Sequence, residues 1–302
     1  MQHAILGAGG IGGLIGAVLA RAGESVTLIV RPEAADRHPR ELSLESGLGK
    51  FSVPVSVSAT ADRPVDVLWI TVKALQLTPA LDRIPEGARI GAVVPLLNGI
   101  DHVKVLRARF GHDGVVPATI SVESERTAPG KIVQRSPFVR LNVAASGRQR
   151  LESSVQEFRR FGFDCKFVED EVTLMWSKLV LLAPLALSTT AAASPIGGVV
   201  ADASRRAKLE ASVREACAVA IASGAVVDAN SVISTIENLP PPMRSSLQKD
   251  VDAGRPAELD AIAGPILRGA EAHGLKAPAT QELVAEIRRR LARQQEPSKS
   301  AG

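Results

Sequence analysis

Six residues near the N-terminus, Gly7-Ala8-Gly9-Gly10-Ile11-Gly12, fit the pattern G-x-G-x-x-G. The pattern alone is weak, and its setting is what constrains the fold. It follows the apolar run His3-Ala4-Ile5-Leu6 and opens residues 14–22, whose apolar side chains recur at helical spacing up to Gly23. A strand, a glycine turn and a helix in that order are the context in which the pattern binds a dinucleotide. Gly7 permits the tight turn, Gly9 lets the backbone approach a pyrophosphate, and Gly12 lets helix and strand pack closely. The helix N-terminus offers free N–H groups and a partial positive charge to phosphates. Gly7, Gly9, Gly10, Ile11 and Gly12 are therefore the expected cofactor-binding residues of this turn.

The end of the second strand, expected over 25–30, reports on which dinucleotide. Enzymes that use NAD place an acid there to bond the ribose 2′-OH, whereas this chain carries Arg31. A guanidinium can pair with a 2′-phosphate through several donors, so the expected cofactor is NADP(H). Glu33 and Asp36 lie downstream and leave a ribose-bonding acid open.

β-branched runs at 65–72 and 90–97 read as further parallel strands, with extended segments at 42–57, 115–119 and 131–143. Strands alternating with helices imply βαβ units and a parallel sheet covered on both faces. After about residue 165 helical spacing takes over, at 172–193, 208–224, from Met243, and at 258–273 with an interruption expected at Gly264-Pro265. A last amphipathic helix follows Pro278. The predicted class is α/β, an N-terminal Rossmann-type dinucleotide-binding domain over 1–167 and a C-terminal all-α domain over 168–295. The tail, 296–302, is expected to be disordered.

Composition narrows the function. With 36 Lys+Arg against 32 Asp+Glu over 302 residues, the net charge of +4 is a weak field and the basic residues are dispersed, so no nucleic-acid partner is expected. Two Trp, seven Phe and no Tyr argue against stacking platforms for single strands. Cys165 and Cys217 form no CxxC, and the five histidines show no ligand spacing, so no metal site is expected. Both cysteines read as buried apolar residues of a protein in a reducing, cytoplasmic setting without a visible secretory signal. The charge-free stretch 179–201 is broken by Pro184, Pro195, Gly197 and Gly198. It reads as a buried core helix, since spanning a bilayer takes about 20 apolar residues.

Five blocks together resemble the ketopantoate reductase (2-dehydropantoate 2-reductase) family over nearly the whole chain. They are the glycine turn with Arg31, Thr71-Val72-Lys73-Ala74-Leu75-Gln76, Leu97-Asn98-Gly99-Ile100, Trp176-Ser177-Lys178-Leu179, and Ser245-Ser246-Leu247-Gln248-Lys249-Asp250 followed by Ala257-Glu258-Leu259-Asp260. The resemblance implies reduction of a small 2-oxo acid by NADPH in a cleft between the two domains. It makes Lys178 the general acid, with Asn98 positioning substrate and nicotinamide. Lys73 and Gln76 line the cofactor side, and Ser246 and Glu258 contact substrate. Members occur as monomers and as homodimers, so the oligomeric state stays open.

The chain departs from the family pattern at Leu182 and Ala186, where the family carries asparagines one and two turns after its lysine. Gln134 stands where a histidine is common, and Ala118-Thr119-Ile120-Ser121 lacks another. A less polar carbonyl substrate is therefore an alternative, and a catalytically silent NADP(H) sensor is a third reading. On the residues alone, Lys178 reads either as a surface lysine snorkelling beside a core helix or as a proton donor whose pKa an apolar neighbourhood lowers. Glu258 would oppose that shift if the two approach.

Overall fold

The computed structural model describes residues 1–295; the tail expected to be disordered lies outside them. The chain forms two compact units, one of residues 1–97 and 101–174, the other of residues 98–100 and the segment from Met175 onward.

In the first unit, β1 (Gln2–Leu6), β2 (Ser25–Ile29), β5 (Ser56–Ser58), β6 (Val65–Ile70) and β7 (Ile90–Pro95) form an all-parallel sheet in the order β5-β2-β1-β6-β7. Chain order reverses direction between β1 and β6, the switch point at which open α/β sheets bind ligands. Alternate residues on one face, among them Ala4, Leu6, Leu68, Ile70 and Val93, build one core cluster. His3 and Trp69 lie on the other face, where the Trp69 ring meets Phe158 of α5 (Arg148–Arg160) edge-on at 5.6 Å.

Five of the strands make up this parallel sheet. The rest form two mixed sheets. β3 (Glu41–Ser46), β4 (Gly49–Pro54), β9 (Ser124–Ala128) and β10 (Lys131–Gln134) are ordered β4-β3-β10-β9. β8 (Ala118–Ser121), β11 (Arg140–Ala144) and β12 (Asp164–Val168) are ordered β12-β11-β8. Helix α1 (Gly10–Arg21) packs against strands of the first two sheets, which explains its composition. A Cβ on Gly13 would lie 2.3 Å from the Ile132 side chain, and one on Gly12 2.1 Å from the Gly7 carbonyl. A helix covered all round must be apolar or small all round, and residues 12–19 are buried without a break. Short helices α2 (Pro32–Ala35), α3 (Leu77–Leu81) and α4 (His102–Phe110) complete this unit.

The second unit is helical: most of α6 (Glu171–Ala191), then α7 (Ile196–Val200), α8 (Ala203–Ala222), α9 (Ala229–Glu237), α10 (Ser246–Asp252), α11 (Leu259–Ala272) and α12 (Pro278–Gln295). Trp176, Leu179, Val180, Ala183 and Ala186 of α6 lie in its core with Leu209, Val213 and Ile262. Although α6 is long and apolar enough to cross a membrane, 67% of its most apolar window is buried within the fold.

Elements differ from expectation in several places. The segment expected at 131–143 is two strands, β10 and β11, that expected at 115–119 is β8, the helix expected at 208–224 is α8, and neither α9 nor a separate helix α7 is among the expected elements. α11 continues through Gly264 and Pro265, because a proline removes one helical hydrogen bond while the buried face on either side still packs. The helix expected from Met243 begins at Ser246, where the Ser245 hydroxyl accepts from the Gln248 N–H as N-cap. Both cysteines are buried and unpaired.

Candidate active site

The glycine turn follows β1 directly. Gly7 has φ +109°, and a Cβ there would meet the Val72 side chain at 2.8 Å. The Thr71 hydroxyl donates to the Gly7 carbonyl at 2.7 Å and so ties the turn to the end of β6. Gly9 is the N-cap of α1 and brings no side-chain cap to its first amides. Apart from its own and adjoining backbone, no heavy atom lies within 4 Å of where its Cβ would stand. An open glycine backbone at the first turn of a helix fits a phosphate group. The turn that begins at Gly7 and Gly9 therefore fits a dinucleotide phosphate.

Gly10 is constrained in another way. Its Cβ would lie 2.1 Å from the carbonyl oxygen of Ser124 in β9, and the Ser124 hydroxyl donates to the Gly10 carbonyl at 2.9 Å. The chain passage 124–128 carries no apolar alternation, so this contact had no sequence signal.

Arg31 follows β2 as the exposed N-cap of α2, 3.5 Å from the Glu33 carboxylate. The acid left open as a ribose ligand is thus a neighbour of the guanidinium. Lys73 caps a 3-10 turn, Ala74–Gln76, just after β6; it is half-buried, while Gln76 is exposed.

The helical unit brings three of the expected residues together. Lys178 Nζ donates to Asn98 Oδ1 at 3.2 Å, and Asn98 Nδ2 donates to Glu258 Oε2 at 3.3 Å. An ammonium can only donate and a carboxylate only accept, so an amide between them is fixed in one orientation. Burial lowers the Lys178 pKa from 10.5 to about 8, against the opposing field of Glu258. Glu258 is buried at the start of α11, whereas Lys178 and Asn98 are half-buried. Asn98 arrives from the segment after β7, yet belongs to the helical unit. One turn beyond Lys178, Leu182 is half-buried; two turns on, Ala186 is fully buried in the core. Ser246 is exposed at the start of α10, and no hydrogen bond joins its side chain to this cluster among the described residues. A proton donor of reduced pKa, oriented by a neutral amide that a carboxylate anchors, can act on an oxygen that gains negative charge.

Fold and site together define a class, the dinucleotide-binding proteins of the Rossmann type with an added helical unit. Ketopantoate reductase PanE/ApbA matches residues 3–146, and its C-terminal counterpart, Ketopantoate reductase PanE/ApbA C terminal, matches residues 172–291. The chain belongs to the ketopantoate reductase family, a family of oxidoreductases. A 2-dehydropantoate 2-reductase from Caulobacter vibrioides is 30% identical over 292 residues, 93% of this chain and 96% of its own. One from Mycobacterium tuberculosis is 31% identical over 297 residues, 93% of this chain and 95% of its own. The crystal structure of a PanE/ApbA family ketopantoate reductase from Ralstonia eutropha superposes with a TM-score of 0.84 at 27% identity, over 98% of this chain and 100% of that one.

Proposed function

We propose that this protein reduces a 2-oxo acid to the 2-hydroxy acid with NADPH, with 2-dehydropantoate as the first substrate to test and Lys178 as the general acid. The observation that carries the reading is the chain from Lys178 through Asn98 to the buried Glu258, with the lysine pKa lowered to about 8. Its relatives named 2-dehydropantoate 2-reductase support the same reaction.

The glycine turn and Arg31 would hold NADPH, the guanidinium pairing with its 2′-phosphate, and the bound cofactor would supply the hydride. The chain's own part is to manage charge and proton. Lys178 Nζ hydrogen-bonds the keto oxygen, stabilises the negative charge that develops there, and transfers its proton to that oxygen. A pKa near 8 keeps the amine mostly protonated at neutral pH while making it a better donor than an ordinary lysine. Asn98 holds the amine in line, and Glu258 favours its charged form. Lys73 and Gln76 belong with the cofactor-binding residues, and Ser246 with the substrate-binding ones.

A second reading rests on Leu182, half-buried one turn beyond Lys178, with Ala186 in the core behind it. An apolar face beside Lys178 suits a substrate whose far end is hydrocarbon, since a site without amides gives polar groups nothing to bond. NADPH consumption measured with a panel of 2-oxo acids, with NADH in parallel, separates the two. Preference for 2-dehydropantoate supports the first reading. Preference for 2-oxo acids with bulkier apolar side chains supports the second, and turnover with neither contradicts both.

A further inference from the structure

Asn98 stands between Lys178 and Glu258 although it enters from the end of a strand of the other unit, so something must seat it there. Gly99 has φ +81°, a conformation that costs little only for glycine. A Cβ on Gly99 would lie 2.2 Å from the carbonyl oxygen of Ala261, in the first turn of α11. That carbonyl has a particular history in the helix. Its α-helical partner would be the N–H of residue 265, four positions on, and residue 265 is a proline, which has none. The next residue, Ile100, packs against the helical core.

We infer that Gly99 and Pro265 are positioning residues that act through Asn98. Pro265 releases the Ala261 carbonyl from the helical ladder, and Gly99 alone is small enough to lie against that carbonyl. The close approach docks residues 98–100 onto α11, next to Glu258 at its start, and so holds the Asn98 amide within reach of both Glu258 and Lys178. This gives the proline that was expected to interrupt α11 a role: it frees one backbone group at the place where the segment docks. The inference rests on Lys178 being the acid, which the loss of turnover in Lys178→Ala tests separately.

The experiment compares Gly99→Ala, Asn98→Ala, the double variant and Pro265→Ala in the full chain. Each is assayed for kcat, KM, Tm and the alkaline limb of the rate profile. Gly99→Ala is expected to lower kcat about tenfold to a hundredfold, the scale of a misplacement near 1 Å. It should also move the alkaline limb to lower pH, because Nζ loses an acceptor that favours its charged form. The double variant should be no worse than Asn98→Ala alone, since both changes act on one group. Pro265→Ala restores a backbone N–H to α11. It should lower kcat about threefold, a geometric effect on the scale of one weakened hydrogen bond, with Tm held within a few degrees. Additive losses in the double variant, or a wild-type limb in Gly99→Ala and in Pro265→Ala, would overturn the inference. Turnover that survives in Lys178→Ala would instead remove the reading beneath it.

Discussion

Each compact unit carries a basic side chain whose affinity for protons is reduced by burial, and the two have different consequences. In the first, His3 of β1 is enclosed, its side chain fully covered, and its pKa is lowered from 6.5 to about 4 by burial, against the opposing field of Glu24. Its Nδ1 accepts from Trp69 Nε1 at 3.3 Å; an indole can only donate, so the ring proton sits on Nε2, 3.9 Å from the Glu24 carboxylate. In the second, Lys178 is only half-buried and leads into an amide and a carboxylate. A depressed pKa is therefore a report of burial. It becomes chemistry only where the group keeps access to a reactant and has partners that orient its protons.

The largest effect that can break this contrast lies at Lys178. Lys178→Ala should lower turnover by a factor on the order of 10² to 10⁴, the usual worth of a general acid, while NADPH binding measured by fluorescence survives. Undiminished turnover would place Lys178 beside His3 as a merely buried base. A smaller effect is expected in the first unit, where substitutions should act on cofactor affinity. Arg31→Ala should raise KM for NADPH about tenfold, the scale of a charge-assisted pair, and leave KM for NADH unchanged. An equal change for both nucleotides would return Arg31 to the status of a surface charge.

The smallest effect on catalysis belongs to His3. The folded protein binds a proton at His3 more weakly than the unfolded chain does. The contribution of His3 to stability is therefore full above pH 6.5 and is lost as pH falls toward about 4. His3→Gln keeps an acceptor for Trp69 and removes that titration. It should leave kcat at the wild-type value and flatten the acid decline in urea-unfolding midpoints between pH 7 and pH 4.5. A decline as steep as wild type would mean that other groups govern acid unfolding.

Much of the parallel sheet was legible because β1, β2, β6 and β7 are buried on both faces and read as continuous apolar runs. β9 was not, since its residues are mostly exposed and polar; it exists through pairing with β10 and its contact with Gly10. In the helical half, α7 carries two glycines in five residues and holds its place by packing, with Gly197 against Pro241. At the site, the types and spacing of Lys178, Asn98 and Glu258 were readable through the family resemblance. Their hydrogen-bonded order was not. Asn98 follows a sheet strand in the chain, yet its bonds to Lys178 and Glu258 and the close approach of Gly99 to Ala261 lie in the helical unit. Likewise Ser245, not Ser246, supplies the capping hydroxyl of α10, a one-residue distinction that depends on where the first helical turn begins.

The central claim is that a lysine of lowered pKa, tuned by Glu258, delivers the proton. The pH dependence of kcat/KM in the wild type and in Glu258→Gln tests it most directly. In the wild type the rate should be level on the acid side of this limb and fall through about pH 8 as the ammonium is lost. Glu258 raises the lysine pKa, so its neutralisation should carry that limb to lower pH. A limb at the ordinary lysine value of 10.5, or one that Glu258→Gln does not move, would contradict the account.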